Sequence, residues 1–197
     1  MAYPAQSIDA GMELGVYFTR HWKEGDMNDT ALLVIDVQRG LFNRSSPVYK
    51  AKDVLANINM LEDRARAQGA PIVYIQHCND SLLVEGTENW MLRPEMRPQD
   101  GDLRILKHHG SAFEKTPLGD ELRRRGVSRI VACGMVTHGC VKAACLDGVK
   151  LGYRVVLAAD AHSNYSKKAA QVIDEWHEKL RAAGVELKPA AEIDFKE

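Results

Sequence analysis

The sequence predicts a single three-layer α/β/α domain built on a mostly parallel sheet of about six strands. Two observations carry that prediction. Short apolar runs alternate with longer amphipathic segments along most of the chain, and Gly or Pro stands at most of the boundaries between them. Strands joined through crossover helices in one sheet run parallel, so the alternation itself implies the sheet type. A chain of 197 residues suits one such domain, and at this size about 70% of the unfolded surface is removed from water.

Residues 31–37 (ALLVIDV) read as the first strand, with Asp36 at its end. Val54, Leu55, Ile58 and Leu61 fall on one helical face, Gly69 suits a C-terminal cap, and Pro71 opens a strand over residues 72–76. Residues 79–101 combine Pro, Gly and charge with little period, and a connection of that length predicts a functional loop or lid. Residues 103–107 (LRILK) form the third strand and end on Lys107. Thr116 as cap and Pro117 at the first helical position start the next helix, which stops at Gly126. A strand over residues 129–133 leads into a glycine-flanked turn and a helix predicted from Cys140 to Leu151. Residues 153–158 are the fifth strand. Val172, Ile173, Trp176 and Leu180 predict the buried face of a helix ending at Gly184, and residues 185–187 a short sixth strand. The alternation is Rossmann-like, yet the turn after the first strand reads DVQRGLF and lacks the GxGxxG of a dinucleotide-binding oxidoreductase.

Residues 1–27 stand apart as an N-terminal arm or extension ahead of a domain over residues 28–197. Two readings of that segment stay open. Met27 is an alternative start, or the arm packs on the core or a partner subunit through Leu14, Val16, Tyr17, Phe18 and Trp22.

Composition excludes several classes. A formal net charge of −1, with 45% hydrophobic and 27% charged residues, leaves no electrostatic footprint for nucleic acid. The run Arg123–Arg125 reads as a solvated helix end. No apolar run is long enough to span a bilayer and no secretory leader opens the chain, so no membrane partner is expected. Four cysteines without a CxxC pair predict a reducing, cytoplasmic setting.

The chemistry gathers in three residues. In the run VACGMVTHGCVKAACL an apolar strand stops at a glycine and a thiol, Cys140, follows the turn. A thiol at a helix start meets unpaired N–H groups and the positive end of the macrodipole, which favour a thiolate and also suit a developing oxyanion. Parallel strands all end at one sheet edge, so Asp36, Lys107 and Cys140 are expected to converge there. A carboxylate, an ammonium and a thiol supply a base, an electrostatic partner and a nucleophile, the set needed for covalent acyl transfer. Cys133 lies within a strand and Cys145 shares a helix face with Val141 and Gly148, so both read as core. A ligand-binding module or a redox-sensing thiol is the competing class, but a sensor needs only a positive environment, and the joint presence of Asp36 and Lys107 favours an enzyme.

The runs LLVIDVQRGLF, ILKHHGSAFEKTPL, GMVTHGCVKAACLDGVKLGYRVVLAADA and GVELKPAAEIDF together resemble the isochorismatase-like cysteine hydrolases, whose relatives include nicotinamidases and N-carbamoylsarcosine amidohydrolases. The resemblance implies an Asp-Lys-Cys triad on Asp36, Lys107 and Cys140, and hydrolysis of a small non-peptide amide, imide or carbamoyl compound through a thioester. It also implies a cis peptide between Met135 and Val136 and an oxyanion hole from the Val136 and Cys140 N–H groups. Isochorismatase itself has a smaller residue at the nucleophile position, so Cys140 argues against vinyl-ether cleavage. Nicotinamidase is the first alternative within the class. Against it, the segment expected to carry a DxHPxxH-like metal motif reads Gln76-His77-Cys78-Asn79-Asp80, so no metal and no other cofactor is expected, and His77 is assigned to the pocket wall. His108 and His109 are adjacent on an extended segment and point to opposite faces. Leu41, Phe42, Trp90 and Phe113 complete the expected wall around a small-molecule substrate, and the family resemblance adds homo-oligomerisation.

Overall fold

A computed structural model of the protein describes residues 16–17 and 28–196. Among the described residues seven strands form one sheet: β1 (Val16–Tyr17), β2 (Thr30–Ile35), β3 (Ile72–His77), β4 (Leu103–Lys107), β5 (Arg129–Met135), β6 (Arg154–Ser163) and β7 (Glu186–Lys188). Their spatial order is β1-β4-β3-β2-β5-β6-β7. Six strands run parallel, and β1 pairs antiparallel with β4, Val16 opposite Ile105 and Tyr17 opposite Arg104. Apart from those two residues, the expected arm, with Leu14, Phe18, Trp22 and the start at Met27, lies outside the described residues.

The chain grows outward from β2 through β3 to β4, then returns to β5 and grows the other way through β6 to β7. The order therefore reverses between β2 and β5, which is where a doubly wound sheet opens a crevice at its C-terminal edge. Every residue of β2 and β5 is buried, as expected for strands covered on both faces.

Alternation sorts the side chains into two cores. Leu33 and Ile35 of β2 join Ile130, Ala132, Val155 and Leu157 beneath the layer of α3 (Leu118–Arg124), α4 (Lys142–Lys150) and α5 (Ala169–Ala182). Leu32 and Val34 face the other way, with Val131 and Val156, onto α2 (Ala51–Ala67) and the C-terminal Ile193 and Phe195. Each such aliphatic side chain removed from water contributes about 1.5–3 kcal/mol. The predicted face of α2, Val54, Leu55, Ile58 and Leu61, is buried, and Gly69 follows it at φ +72°, the left-handed conformation that ends helices.

The α5 face differs from expectation. Leu180 is buried, but Val172, Ile173 and Trp176 are only half-buried. Trp176 still packs against the core, and the ammonium groups of Lys142 and Lys179 each lie 4.8 Å from its ring centroid, so cation–π contact covers part of the indole that the core leaves exposed. The expected lid over residues 79–101 holds no helix or strand, yet it is pinned: Arg39 N–H donates to Met91 O, Gly40 N–H to Asn89 O and Arg93 N–H to Val37 O. Among the described residues no helix is long and apolar enough to cross a membrane.

Candidate active site

The C-terminal edge of the sheet brings the predicted residues together from four strands. Asp36 follows β2 directly, His77 and Lys107 end β3 and β4, and the turn holding Cys140 follows β5. Asp36 sits in the left-handed region at φ +50°, an arrangement costing about 1–3 kcal/mol that persists where the surroundings hold it. Its N–H is fixed by Ile75 O at 2.8 Å and its carbonyl by the Gln38 N–H at 2.8 Å. On β5, Gly134 has φ +112°, and a Cβ there would lie 2.1 Å from the Ile35 carbonyl oxygen. Only glycine lets the two central strands approach this closely beside Asp36.

The peptide between Met135 and Val136 is cis. Beyond it the structure corrects the expected helix start. Thr137–Val141 form one wide turn in which the Val136 carbonyl accepts from Gly139 N–H at 2.9 Å and Val141 N–H at 3.3 Å, and α4 begins only at Lys142. Gly139 (φ −117°, ψ −112°) departs from the helical course. Cys140 thus lies inside a kinked turn rather than at the first residue of an α-helix.

Lys107 organises the site. Its side chain is 0% exposed, and Nζ lies 2.8 Å from Asp36 Oδ2, 3.2 Å from Cys140 Sγ, 3.2 Å from His77 Nδ1 and 3.3 Å from His109 O. Burial opposes the ammonium, but Asp36 and Cys140 outweigh it and hold the lysine above its ordinary value. An ammonium only donates, so His77 Nδ1 accepts and its proton is placed on Nε2. Burial and then Lys107 lower the pKa of His77, consistent with a neutral ring.

The sulfur differs from the sequence expectation. Burial, reinforced by the charge of Asp36, pushes Cys140 up to about 12 despite Lys107. Burial and Asp36 thus favour the thiol over the thiolate. Lys107 stands beside the sulfur as predicted, but it shares its charge with Asp36 in a dry site, which the sequence does not reveal. Asp36 Oδ1 is buried without a hydrogen-bond partner, so the carboxylate keeps one oxygen free beside a proton donor.

A carboxylate oxygen of Asp36, a ring nitrogen of His77 and Cys140 Sγ lie within 4.8 Å of one another, the donors a metal would use. Lys107 Nζ contacts all three residues at 2.8–3.2 Å and already supplies the cation. In the segment after β3, Cys78 Sγ accepts the Trp90 indole N–H at 3.1 Å, and Asn79 Oδ1 accepts the N–H groups of Ser81, Leu82 and Leu83. These residues do not fit a metal centre.

The remaining predicted residues occupy varied surroundings. Trp90 is half-buried, with its carbonyl held by Gln38 Nε2 at 2.9 Å and Gln76 Nε2 at 3.1 Å. Leu41 is half-buried on α1 (Arg39–Phe42), whose Phe42 packs on the α2-side core under the Arg93 guanidinium. Phe113 packs on the other core and stacks with Tyr153 at 5.8 Å. His108 is exposed. The sequence reading missed Gln38, whose amide also bonds the N–H and carbonyl of His77. It missed Thr137, His162 and His177 as well. A glutamine two residues past a strand-ending Asp and a threonine three residues before the Cys were the available signals.

Comparison with known proteins identifies the family. An isochorismatase domain model matches residues 30–185. A streptothricin hydrolase from Streptomyces noursei is 35% identical over 147 residues, covering 74% of this chain and 58% of that protein, so the chain spans little more than half of that relative. A ureidoacrylate amidohydrolase from Stutzerimonas stutzeri is 28% identical over 182 residues, 73% of each chain. The solved pyrazinamidase of Pyrococcus horikoshii in complex with zinc superposes with a TM-score of 0.72 at 25% identity, over 82% of this chain and 99% of that one. This chain belongs to the isochorismatase family.

Proposed function

We propose that the protein is a cysteine hydrolase that cleaves the C–N bond of a small non-peptide amide, imide or carbamoyl compound through a thioester. The observation that carries this reading is the contact of one buried ammonium, Lys107, with both Asp36 at 2.8 Å and Cys140 at 3.2 Å. Asp36 takes the thiol proton as Cys140 Sγ attacks the carbonyl carbon. Charge moves from carboxylate to sulfur, and Lys107 stays in contact with both, so the step needs no separated charge in a dry site. Backbone N–H groups of Val136 and Cys140 receive the oxyanion. The C–N bond breaks as Asp36 returns the proton to the leaving nitrogen, giving ammonia or an amine. Water then gives a proton to Asp36, attacks the thioester and releases the acid, and the proton returns to sulfur. General acid–base assistance of this kind contributes about 10²–10⁴-fold.

Relatives named as an amidohydrolase and a pyrazinamidase support the amide class. His77, Leu41, Phe42, Trp90 and Phe113 are proposed as the substrate wall. A nicotinamidase that relies on a metal is disfavoured by the engaged donors after β3. A redox-sensing role is disfavoured because a sensor thiol needs only a positive environment, whereas here Lys107 holds a carboxylate base, Asp36, together with Cys140. Four free cysteines suit a reducing cytoplasm.

The test is a screen of small acyclic amides and ureides for ammonia or amine release, with Cys140→Ala beside the wild type. Turnover lost in Cys140→Ala supports the reading. Turnover unchanged in Cys140→Ala contradicts it.

A further inference from the structure

A second polar thread reaches the nucleophile turn from the opposite side of Lys107. Thr137, first residue of that turn and 0% exposed, has Oγ1 2.9 Å from Nδ1 of the equally buried His162. Nε2 of His162 lies 2.8 Å from Nε2 of His177 on α5, ring edge to ring face. The fold makes a special arrangement to place His162 there. From Ala132 to Gly134 β5 advances two residues, while β6 advances five, from Leu157 to His162. The excess loops outward at Asp160, which is pinned by Asn57 Nδ2 on its carbonyl at 2.9 Å and by the Ala190 N–H on Oδ1 at 2.7 Å. Without that bulge His162 would not reach the level of Gly134 and the turn beyond it.

The two ring contacts are coupled through one tautomer. Burial, then His177, pushes His162 down to about 3, so the ring is neutral and carries one N–H. The two Nε2 atoms share one proton between them, and Thr137 Oγ1 takes the complementary role at Nδ1. Fixing the tautomer of His162 fixes the hydroxyl of Thr137, and with it one end of the turn. The far end is tied by the Lys142 N–H to the Thr137 and Gly139 carbonyls.

We propose that His162 is a positioning residue for Cys140: through Thr137 it sets the turn that presents the sulfur to Lys107 and Asp36, and His177 holds His162 in the required tautomer. The proposal rests on the cysteine-hydrolase reading for its effect on turnover. His177 sits at the surface among Asp174, Glu175, Glu178 and Arg181, so the thread joins the nucleophile turn to an exposed face of α5.

The experiment compares His162→Phe, His162→Asn, Thr137→Val and Thr137→Ser in the full chain, reading kcat, KM, circular dichroism and the rate of Cys140 alkylation by iodoacetamide. Removing the bond to Thr137 (His162→Phe or Thr137→Val) is expected to lower kcat on the order of 10²-fold, the effect of misplacing a reacting group by about 1 Å. KM should stay within about twofold. Cys140 alkylation should change in step with kcat. His162→Asn keeps an amide near the Nδ1 position and Thr137→Ser keeps the hydroxyl, so both should recover most of the activity. If His162→Phe fails to fold, the near-isosteric Thr137→Val decides. Wild-type kcat in Thr137→Val, or a change confined to KM, overturns the proposal. Should the amidase reading itself fail, with Cys140→Ala still active, the alkylation rates still decide whether the thread sets the sulfur.

Discussion

Lys107 Nζ lies 2.8 Å from Asp36 Oδ2 with the two side chains 0% and 1% exposed, so the centre of the site is a fully desolvated ion pair. Such a pair contributes little net stability, but losing one member strands a buried charge. Its value here is positional. It puts a compact cation between a base and a sulfur whose charges exchange during the proposed reaction.

Lys107→Met should therefore be inactive and also destabilised, by roughly 3–5 kcal/mol, because Asp36 is left uncompensated. Adding Asp36→Asn should recover most of that stability without recovering turnover. Lys107→Arg should be severely impaired, since a wide planar fork cannot meet the acceptors around a single ammonium. Urea unfolding beside kcat/KM checks all three, and a Lys107→Met protein of wild-type stability and activity would remove Lys107 from the account.

Cys140 should be the most rapidly alkylated cysteine, because Cys78, Cys133 and Cys145 are buried while Cys140 is not fully so. Its rate should climb roughly tenfold per pH unit between about pH 7 and pH 10, since the reactive thiolate is scarce below a pKa of about 12. Peptide mapping after brief iodoacetamide exposure measures both. A rate that levels off near neutrality means a resting thiolate and contradicts the electrostatics described above.

Gly134→Ala should cost about 3 kcal/mol or more and abolish activity. The methyl would meet the Ile35 carbonyl at 2.1 Å in a positive-φ conformation, and both strain and overpacking act at once. Thermal unfolding checks this. Gly152→Ala, where φ is +89° but nothing lies within 4 Å, is the control for strain alone and should cost less.

Much of the fold was legible because it rests on local patterns. Residues 103–107 form β4 as read, and the α2 face was correct. Asp36 and Lys107 were identifiable because each ends an apolar run, and parallel topology carries strand ends to one edge. The wide turn at Thr137–Val141 was not legible, since its apolar spacing imitates the helix that follows and the departure at Gly139 is a backbone choice. The raised pKa of Cys140 and the His162 thread were hidden for a shared reason: both depend on burial and on partners distant in sequence. Val172, Ile173 and Trp176 show the opposite error, where an apolar stripe predicted full burial and the structure gives half-burial, with two lysines over the Trp176 ring.

Acid should unfold the protein partly through His162. Its folded pKa of about 3 lies below the ordinary 6.5. Between those values the unfolded chain binds a proton that the native ring does not, so stability falls as pH falls through that window. Glu62, raised by burial despite the bond from Tyr74, acts in the opposite sense just above 4.5. The informative quantity is therefore the difference in Tm between wild type and His162→Asn, measured from pH 7 to pH 4. That gap should narrow toward acid pH; a constant or widening gap contradicts the neutral buried ring.

The proposed reaction passes through an acyl group on Cys140. Acid quenching during steady turnover of an amide found by the screen, followed by intact-mass and peptide analysis, tests it most directly. Acyl transfer to Cys140 should give a mass increase equal to the acyl half of the substrate, mapped to the peptide holding Cys140 and absent from Cys140→Ala, which should also be inactive. Full turnover in Cys140→Ala, with no adduct in the wild type, would contradict it.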